Sequence, residues 1–274
     1  MALSTASFSL LFAGCERSMI YYPTRSSEES LRGLAQSRGL TPWHNESGER
    51  IGWRSASPGA GGSGTALAVF HGNAGHAADR SYFVDGIGAA VREEPWTIFL
   101  FEYPGYGSRP GQPSERVIKA GARAAVQHLL AEGFTSLFVA GESLGGGVAS
   151  HLAATFPDQV DGVVLITPFT SLAEVAQHHY PGWLVRMLLS ERYDNVDELT
   201  RYRGPVAILL AGEDEVVPAE LGRRLHDTYQ GPKRLWVQSG RGHNTLDLSR
   251  DASWWRELVQ FLRSTPNKKP RSPS

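Results

Sequence analysis

Apolar residues gather in six short runs along the chain: TALAVF (65–70), WTIFLFEY (96–103), SLFVAG (136–141), VDGVVLIT (160–167), VAILLAG (206–212) and RLWVQS (234–239). Their content of Val, Ile, Leu and Phe predicts strands buried on both faces. Longer stretches of helical periodicity separate them, and this alternation is the rhythm of βαβ units around a parallel sheet. In 114–130, Val117, Gly121 or Ala122, Ala125 and Leu129 recur at helical spacing while Arg116, Lys119 and Arg123 take the other face. A helix over 144–156 follows the third run. The last helix begins after Asp251, a good N-cap, and repeats Trp255, Leu258 or Val259, and Leu262. Beyond it TPNKKPRSPS has no periodicity, so residues 265–274 are read as a disordered tail. Upstream, a pair of antiparallel strands precedes the Gly/Ser/Pro turn SPGAGGSG (57–64). One connection breaks the rhythm. Residues 169–204 are too long and too apolar for a plain link, and within them HHYPGWLVRMLLSERY predicts a small helical cap over the carboxyl ends of the strands, where ligands bind.

The length of 274 residues fits one α/β domain, taken as residues 16–264. The 27 basic and 28 acidic residues leave a net charge of -1, so no basic field exists to hold nucleic acid. With a single cysteine, Cys15, there is no intrachain disulfide and no cysteine-rich metal site. Residues 1–14, MALSTASFSLLFAG, are uncharged and end in small residues before Cys15, which looks like the lipobox of a bacterial lipoprotein signal segment spanning 1–15. No Lys or Arg precedes the apolar stretch, and Phe12 stands where lipoboxes carry Leu, so a packed or frayed N-terminus with a free thiol is the alternative. The first reading implies a membrane-anchored protein of the bacterial cell envelope, the second a cytoplasmic one. No run reaches the roughly 18–20 apolar residues of a transmembrane helix, so any membrane attachment would be through the N-terminus.

The chemistry centres on GESLG (141–145), a G-x-S-x-G pattern between a predicted strand and a predicted helix. A strand that turns sharply into a helix strains the residue at its apex, and side chains two positions to either side would collide. Gly141 and Gly145 remove that collision, Gly146 and Gly147 admit close neighbours, and the helix dipole favours negative charge near Ser143. A serine nucleophile needs a base, and the base needs a carboxylate to hold its tautomer. The loop after the fifth run, AGEDEVVP, offers Glu213, Asp214 and Glu215, and the loop after the sixth, SGRGHNTL, offers His243. His226 lies in a helical stretch among Arg and Asp and reads as a surface residue, so His243 is the base. The loop VFHGNAGH (69–76) supplies the oxyanion donors, assigned to the backbone N–H groups of Asn73 and Leu144, while His71 reads as a structural tie between loops. Neither His71 with His76 nor His178 with His179 has the further ligands a metal site requires, so no metal and no cofactor is expected.

IYYPT, FHGNAGH, FEYPGYGSRPGQPSE, GESLGGG, TPFTSL, GEDEVVP and GRGHN together resemble the blocks of the α/β-hydrolase superfamily, and more narrowly of the Bem46-like serine hydrolases, over nearly the whole chain. The resemblance implies an α/β-hydrolase fold, with a mostly parallel central sheet, helices on both faces and a small helical cap. It picks Asp214 as the acid, three residues before the Val-Pro pair. Glu142 stands where many relatives carry Arg, and Glu102 and Pro104 replace the usual Asp and Arg of a DYRGYG block. It further implies hydrolysis of an acyl ester or thioester, on a small-molecule or lipid substrate, through a covalent acyl-Ser143. Tyr103, Tyr106, Tyr180, Trp183, Leu184 and Met187 are candidates to line an acyl pocket. An aminopeptidase-like amidase and a non-catalytic binding protein on a hydrolase fold are the competing readings.

Overall fold

The computed structural model describes residues 17–56, 64–91, 96–265 and 267, so Cys15, the turn at 57–63 and most of the expected tail lie outside the described residues. Eight strands form its main sheet: β1 (Leu40–His44), β2 (Arg50–Ser55), β3 (Thr65–Phe70), β4 (Thr97–Phe101), β5 (Ser136–Glu142), β6 (Gly162–Ile166), β7 (Val206–Ala211) and β8 (Lys233–Gln238). Their order across the sheet is β8-β7-β6-β5-β3-β4-β2-β1. All neighbours from β8 to β4 are parallel, and the β4–β2 and β2–β1 pairs are antiparallel. The six apolar runs and the N-terminal antiparallel pair are thus strands of one sheet.

Side chains alternate between two cores because the strand period is two. Ala66, Ala68 and Phe70 of β3 face one core and Leu67 and Val69 the other. In β7, Val206, Ile208 and Leu210 point to the first side and Ala207 and Leu209 to the second. The first core is closed by α3 (Glu115–Ala131), α4 (Leu144–Thr155), α7 (Asn195–Leu199) and α8 (Ala219–Thr228), and the second by α1 (Glu28–Ser37), α2 (Tyr82–Ala90) and α9 (Trp254–Ser264). Burial on both faces confines polar residues of the central strands to their ends, Thr65, Thr97, Ser136 and Glu142, which is why they read as apolar runs.

The helices differ from the sequence reading in detail. In α3 the buried stripe is Ile118, Ala122, Ala125, Val126 and Leu129, so Ala122 rather than Gly121 faces the sheet and Val117 is only half-buried. Ser114 caps this helix by accepting from the Val117 N–H at 3.3 Å. The last helix starts at Trp254 with Ser253 before it, not at Asp251, because residues 247–252 are spent on a turn in which Ser249 binds Asp247. Trp255, Leu258, Val259 and Leu262 are all buried, so both alternatives at the third apolar position face the core. Asn267, within the segment read as a disordered tail, donates to the carbonyls of Pro157 and Val160 at 2.8 and 2.9 Å.

The connection between β6 and β7 holds α5 (Leu172–His179), α6 (Gly182–Leu188) and α7, and a Ser171–Asp194 bridge closes its base. It leaves the sheet at the carboxyl end of β6, as the sequence reading of a cap requires. No residue of α5 is fully buried, and Val185 alone is buried in α6.

Candidate active site

Ser143 sits between the last residue of β5 and the first of α4, at φ 51° and ψ −116°. A non-glycine residue with positive φ costs on the order of 1–3 kcal/mol and persists only where its surroundings hold it. Here the Ser143 N–H donates to the Ile166 carbonyl of β6 at 2.8 Å. The flanking glycines are required by backbone approach. A Cβ on Gly141 would lie 2.1 Å from the Gly145 carbonyl oxygen, and one on Gly145 would lie 2.1 Å from the Phe70 carbonyl oxygen. Gly147 admits the Tyr193 ring, whose Cδ1 would be 2.5 Å from an added Cβ. Gly146 meets nothing closer than 3.7 Å, so the close approach expected there is absent.

The loops after β7 and β8 are drawn together by bonds that continue the strand ladder, Gly212 N–H to Gln238 O and Glu213 N–H to Arg241 O, each 2.9 Å. Between them the Asp214 carboxylate accepts from the N–H groups of Val216 and Val217 at 2.9 and 2.7 Å and faces His243 Nδ1 at 2.8 Å. Of the three acidic residues in GEDEVVP, Asp214 is the one that meets the imidazole. Glu215 instead accepts the His243 backbone N–H at 3.2 Å. A carboxylate at Nδ1 places the ring proton there and leaves Nε2 as the basic nitrogen. His226 pairs with its neighbour Asp227 at 2.9 Å, as a surface histidine does.

The His-Gly loop after β3 is fixed at several points. Asn73 Nδ2 donates to the Ile20 carbonyl at 3.0 Å, and the Asn73 carbonyl accepts from the Tyr22 N–H at 2.9 Å and the Tyr106 hydroxyl at 2.8 Å. Leu144 opens α4, so its N–H has no acceptor within the helix. His71 is sealed inside. Its Nδ1 lies 2.8 Å from the Gly72 carbonyl, its Nε2 3.4 Å from Glu102 Oε1, its ring 3.9 Å from that of Tyr103, and its own carbonyl accepts the Tyr103 hydroxyl at 2.7 Å. Among the described residues no group of three or more His, Cys, Asp or Glu converges on a metal-sized site.

Sequence reasoning missed a partly buried ion pair next to Ser143 in the chain. Arg80 Nε and Nη2 each lie 2.9 Å from a Glu142 oxygen, and the Tyr82 hydroxyl donates to the same carboxylate at 2.6 Å. Burial alone would push the Glu142 carboxyl up; the Arg80 charge, its two hydrogen bonds, Tyr82 and His243 outweigh it and hold the group below the usual glutamate range. The acyl-pocket candidates also part company. Tyr103 and Tyr106 are fully buried and spend their hydroxyls on the loop after β3, whereas Tyr180, Trp183 and Met187 are 48, 62 and 66% exposed. A cavity of about 780 Å³ lies apart from all these residues, between α2 and α9, with Trp255, Arg256 and Arg263 in its lining.

Comparison with known proteins gives the same architecture. The α/β hydrolase fold family matches residues 65–192. An uncharacterized protein of Mycobacterium tuberculosis is 36% identical over 253 residues, covering 91% of this chain and 88% of its own. The Schizosaccharomyces pombe protein bem46 is 30% identical over 158 residues, 56% of this chain and 52% of its own. Among solved structures, an esterase of Pyrococcus furiosus superposes with a TM-score of 0.66 at 17% identity, over 89% of this chain and 97% of that one.

Proposed function

Because this chain belongs to the α/β-hydrolase superfamily, in the group that includes Bem46, we propose that it is a serine hydrolase of acyl esters or thioesters. The observation that carries this reading is the 2.8 Å contact between Asp214 and His243 Nδ1, on two loops drawn together after β7 and β8, in a chain whose Ser143 is held at positive φ. Ser143 Oγ attacks the acyl carbonyl carbon while His243 Nε2 takes the hydroxyl proton. The carbonyl π-electrons move to oxygen, and the N–H groups of Asn73 and Leu144 stabilise that charge. Collapse expels the alkoxide or thiolate, which receives the proton from His243 and leaves acyl-Ser143. Water then repeats the cycle, giving its proton to Nε2, and release of the carboxylic acid returns that proton to Ser143. Asp214 holds the imidazole throughout and stabilises its cation.

The test is hydrolysis of p-nitrophenyl acyl esters of increasing chain length by the full-length protein and by Ser143→Ala, together with labelling by a fluorophosphonate. Turnover by the parent, lost in the variant, with the label on Ser143, supports the reading. Absence of both turnover and label would return the protein to the binding-protein alternative. Lipidation of Cys15, the second component of this reading, is tested by mass spectrometry of the native N-terminus; a peptide that keeps unmodified Met1 excludes it.

A further inference from the structure

Large apolar side chains that stay exposed are grouped unevenly over this molecule. Among the described residues they are Met19, Tyr22, Tyr180, Trp183, Met187 and Val216, between 40 and 66% exposed. All six belong to three segments that border the site. Tyr22 donates its N–H to the Asn73 carbonyl and its hydroxyl to Met19 O, so the first pair rides on the segment beside the oxyanion loop. Val216 follows Asp214 by two residues and donates its N–H to that carboxylate. Tyr180, Trp183 and Met187 belong to the cap, whose His179 meets the Val216 carbonyl at 2.9 Å. The segment of Met19 also reaches the far end of the cap, where the Tyr21 hydroxyl lies 3.0 Å from that of Tyr193. The three segments therefore form one connected rim.

We propose that this rim docks on a lipid bilayer with anionic headgroups and presents acyl-bearing lipid to Ser143. The proposal deepens the functional reading above, and rests on it only for the use made of the lipid. Contiguous exposed apolar surface marks an interaction site, and the chemistry of this one favours a bilayer. Trp and Tyr partition to the level of the headgroups, with an apolar body in the acyl boundary and a polar atom in water. Charge points the same way. From Gln177 to Arg192 the exposed charged side chains are Arg186 and Arg192, while Glu191 is buried against Tyr21. Cations interleaved with Trp and Met suit an anionic surface. A second copy packed about a twofold axis would instead bring the same patch, arginines included, against itself. The exposed carboxylates nearby are Glu213 and Glu215 on the acid loop, where Glu215 is engaged by the His243 N–H, and Asp194 at the base of the cap, which accepts the Asp197 N–H. Sequence distance agrees: Met19 follows Cys15 by four residues, a reach of at most about 14 Å, so an acyl group on Cys15 would enter the bilayer beside this rim.

The experiment uses the full-length chain carrying Cys15→Ser, so that no N-terminal acyl group contributes, and sediments it with phosphatidylcholine vesicles made with and without phosphatidylglycerol. Binding that strengthens with phosphatidylglycerol, and falls at least about tenfold in Trp183→Ser/Met187→Ser, supports the proposal. The same double variant is expected to keep the parent's thermal midpoint, because both side chains are more than half exposed. A parent that fails to sediment, or equal sedimentation of parent and variant, overturns it. So does a dimer formed without vesicles and abolished by the two substitutions, since the occupant would then be a second copy. Failure of the functional reading shows separately, as absent turnover of soluble esters with vesicle binding intact.

Discussion

Two histidines of this protein each face a carboxylate, and they are built for opposite purposes. His243 meets Asp214 through Nδ1 at 2.8 Å, and its side chain keeps 10% of its surface exposed. That leaves Nε2 toward the site. His71 has its Nδ1 against the Gly72 carbonyl and its Nε2 toward Glu102, with 1% of its side chain exposed and none of that of Glu102. Its Nε2 makes no hydrogen bond, yet burial closes it to a substrate. The lesson is that residue type and a neighbouring carboxylate do not distinguish a pair fit for catalysis from a structural one; access to the ring does.

The comparison breaks most sharply when each histidine is replaced by alanine. His243→Ala is expected to lower kcat for ester hydrolysis by about 10⁴- to 10⁶-fold, as does loss of a base in other triads. Its thermal midpoint should move less than in the second variant, because Asp214 keeps the N–H groups of Val216 and Val217. His71→Ala should do the reverse. It empties a buried site whose ring packs 3.9 Å from that of Tyr103 and 5.0 Å from that of Tyr106, and truncating a buried aromatic ring in this way costs about 3–5 kcal/mol. At about 2–4 °C per kcal/mol for a chain of this size the midpoint falls by roughly 6–20 °C, while kcat per folded molecule stays within about tenfold of the parent. Calorimetry and steady-state kinetics on the same two preparations check both halves. A collapse of kcat in folded His71→Ala would place that residue in the chemistry.

A third carboxylate, Glu142, sharpens the contrast through pH. Its folded pKa is depressed, so the stability it contributes is fully present above its unfolded pKa, near 4.3, and is lost as pH falls through the lower folded value. Urea unfolding from pH 7 down to pH 3 should show this acid-side loss in the parent and a flatter profile in Glu142→Gln. At pH 7 the substitution is expected to cost about 1.5–3 kcal/mol, the range for hydrogen bonds to a charged group, because Arg80 and Tyr82 keep only a neutral partner. A profile unchanged by Glu142→Gln would mean that the ion pair adds nothing to the fold.

What the chain discloses by itself follows how local each constraint is. β3 is legible to the residue, Thr65–Phe70, because burial on both faces removes every polar position after Thr65. The G-x-S-x-G spacing is legible because the clash it avoids lies within five consecutive residues and the adjoining strand end. The acid is not: Glu213, Asp214 and Glu215 are equivalent in sequence, and the family resemblance singles out Asp214 where periodicity cannot. The Arg80–Glu142 pair spans 62 residues and is made only when the turn before α2, Ala77–Ser81, meets the end of β5, so no spacing announces it. α1 escaped notice because Leu31 and Ala35 alone are buried in it, too few to mark a face. The cap aromatics were visible as residues, yet which side of a short helix meets water is set by its packing, and here Trp183 and Met187 turn outward.

The smallest expected effect lies on the oxyanion loop. The Tyr106 hydroxyl donates to the Asn73 carbonyl at 2.8 Å, and Tyr106→Phe deletes that donor without changing ring packing. A neutral hydrogen bond of this kind contributes about 0.5–1.5 kcal/mol. The Asn73 carbonyl keeps its second donor, the Tyr22 N–H at 2.9 Å, so the loop loosens without letting go. If the Asn73 N–H meets the oxyanion, the loosening weakens a contact made in the transition state and not in the ground state. In that case kcat falls by up to about tenfold while KM for a soluble ester stays constant. A rise in KM at constant kcat would assign the loop to substrate binding instead, and would move the oxyanion donor away from Asn73.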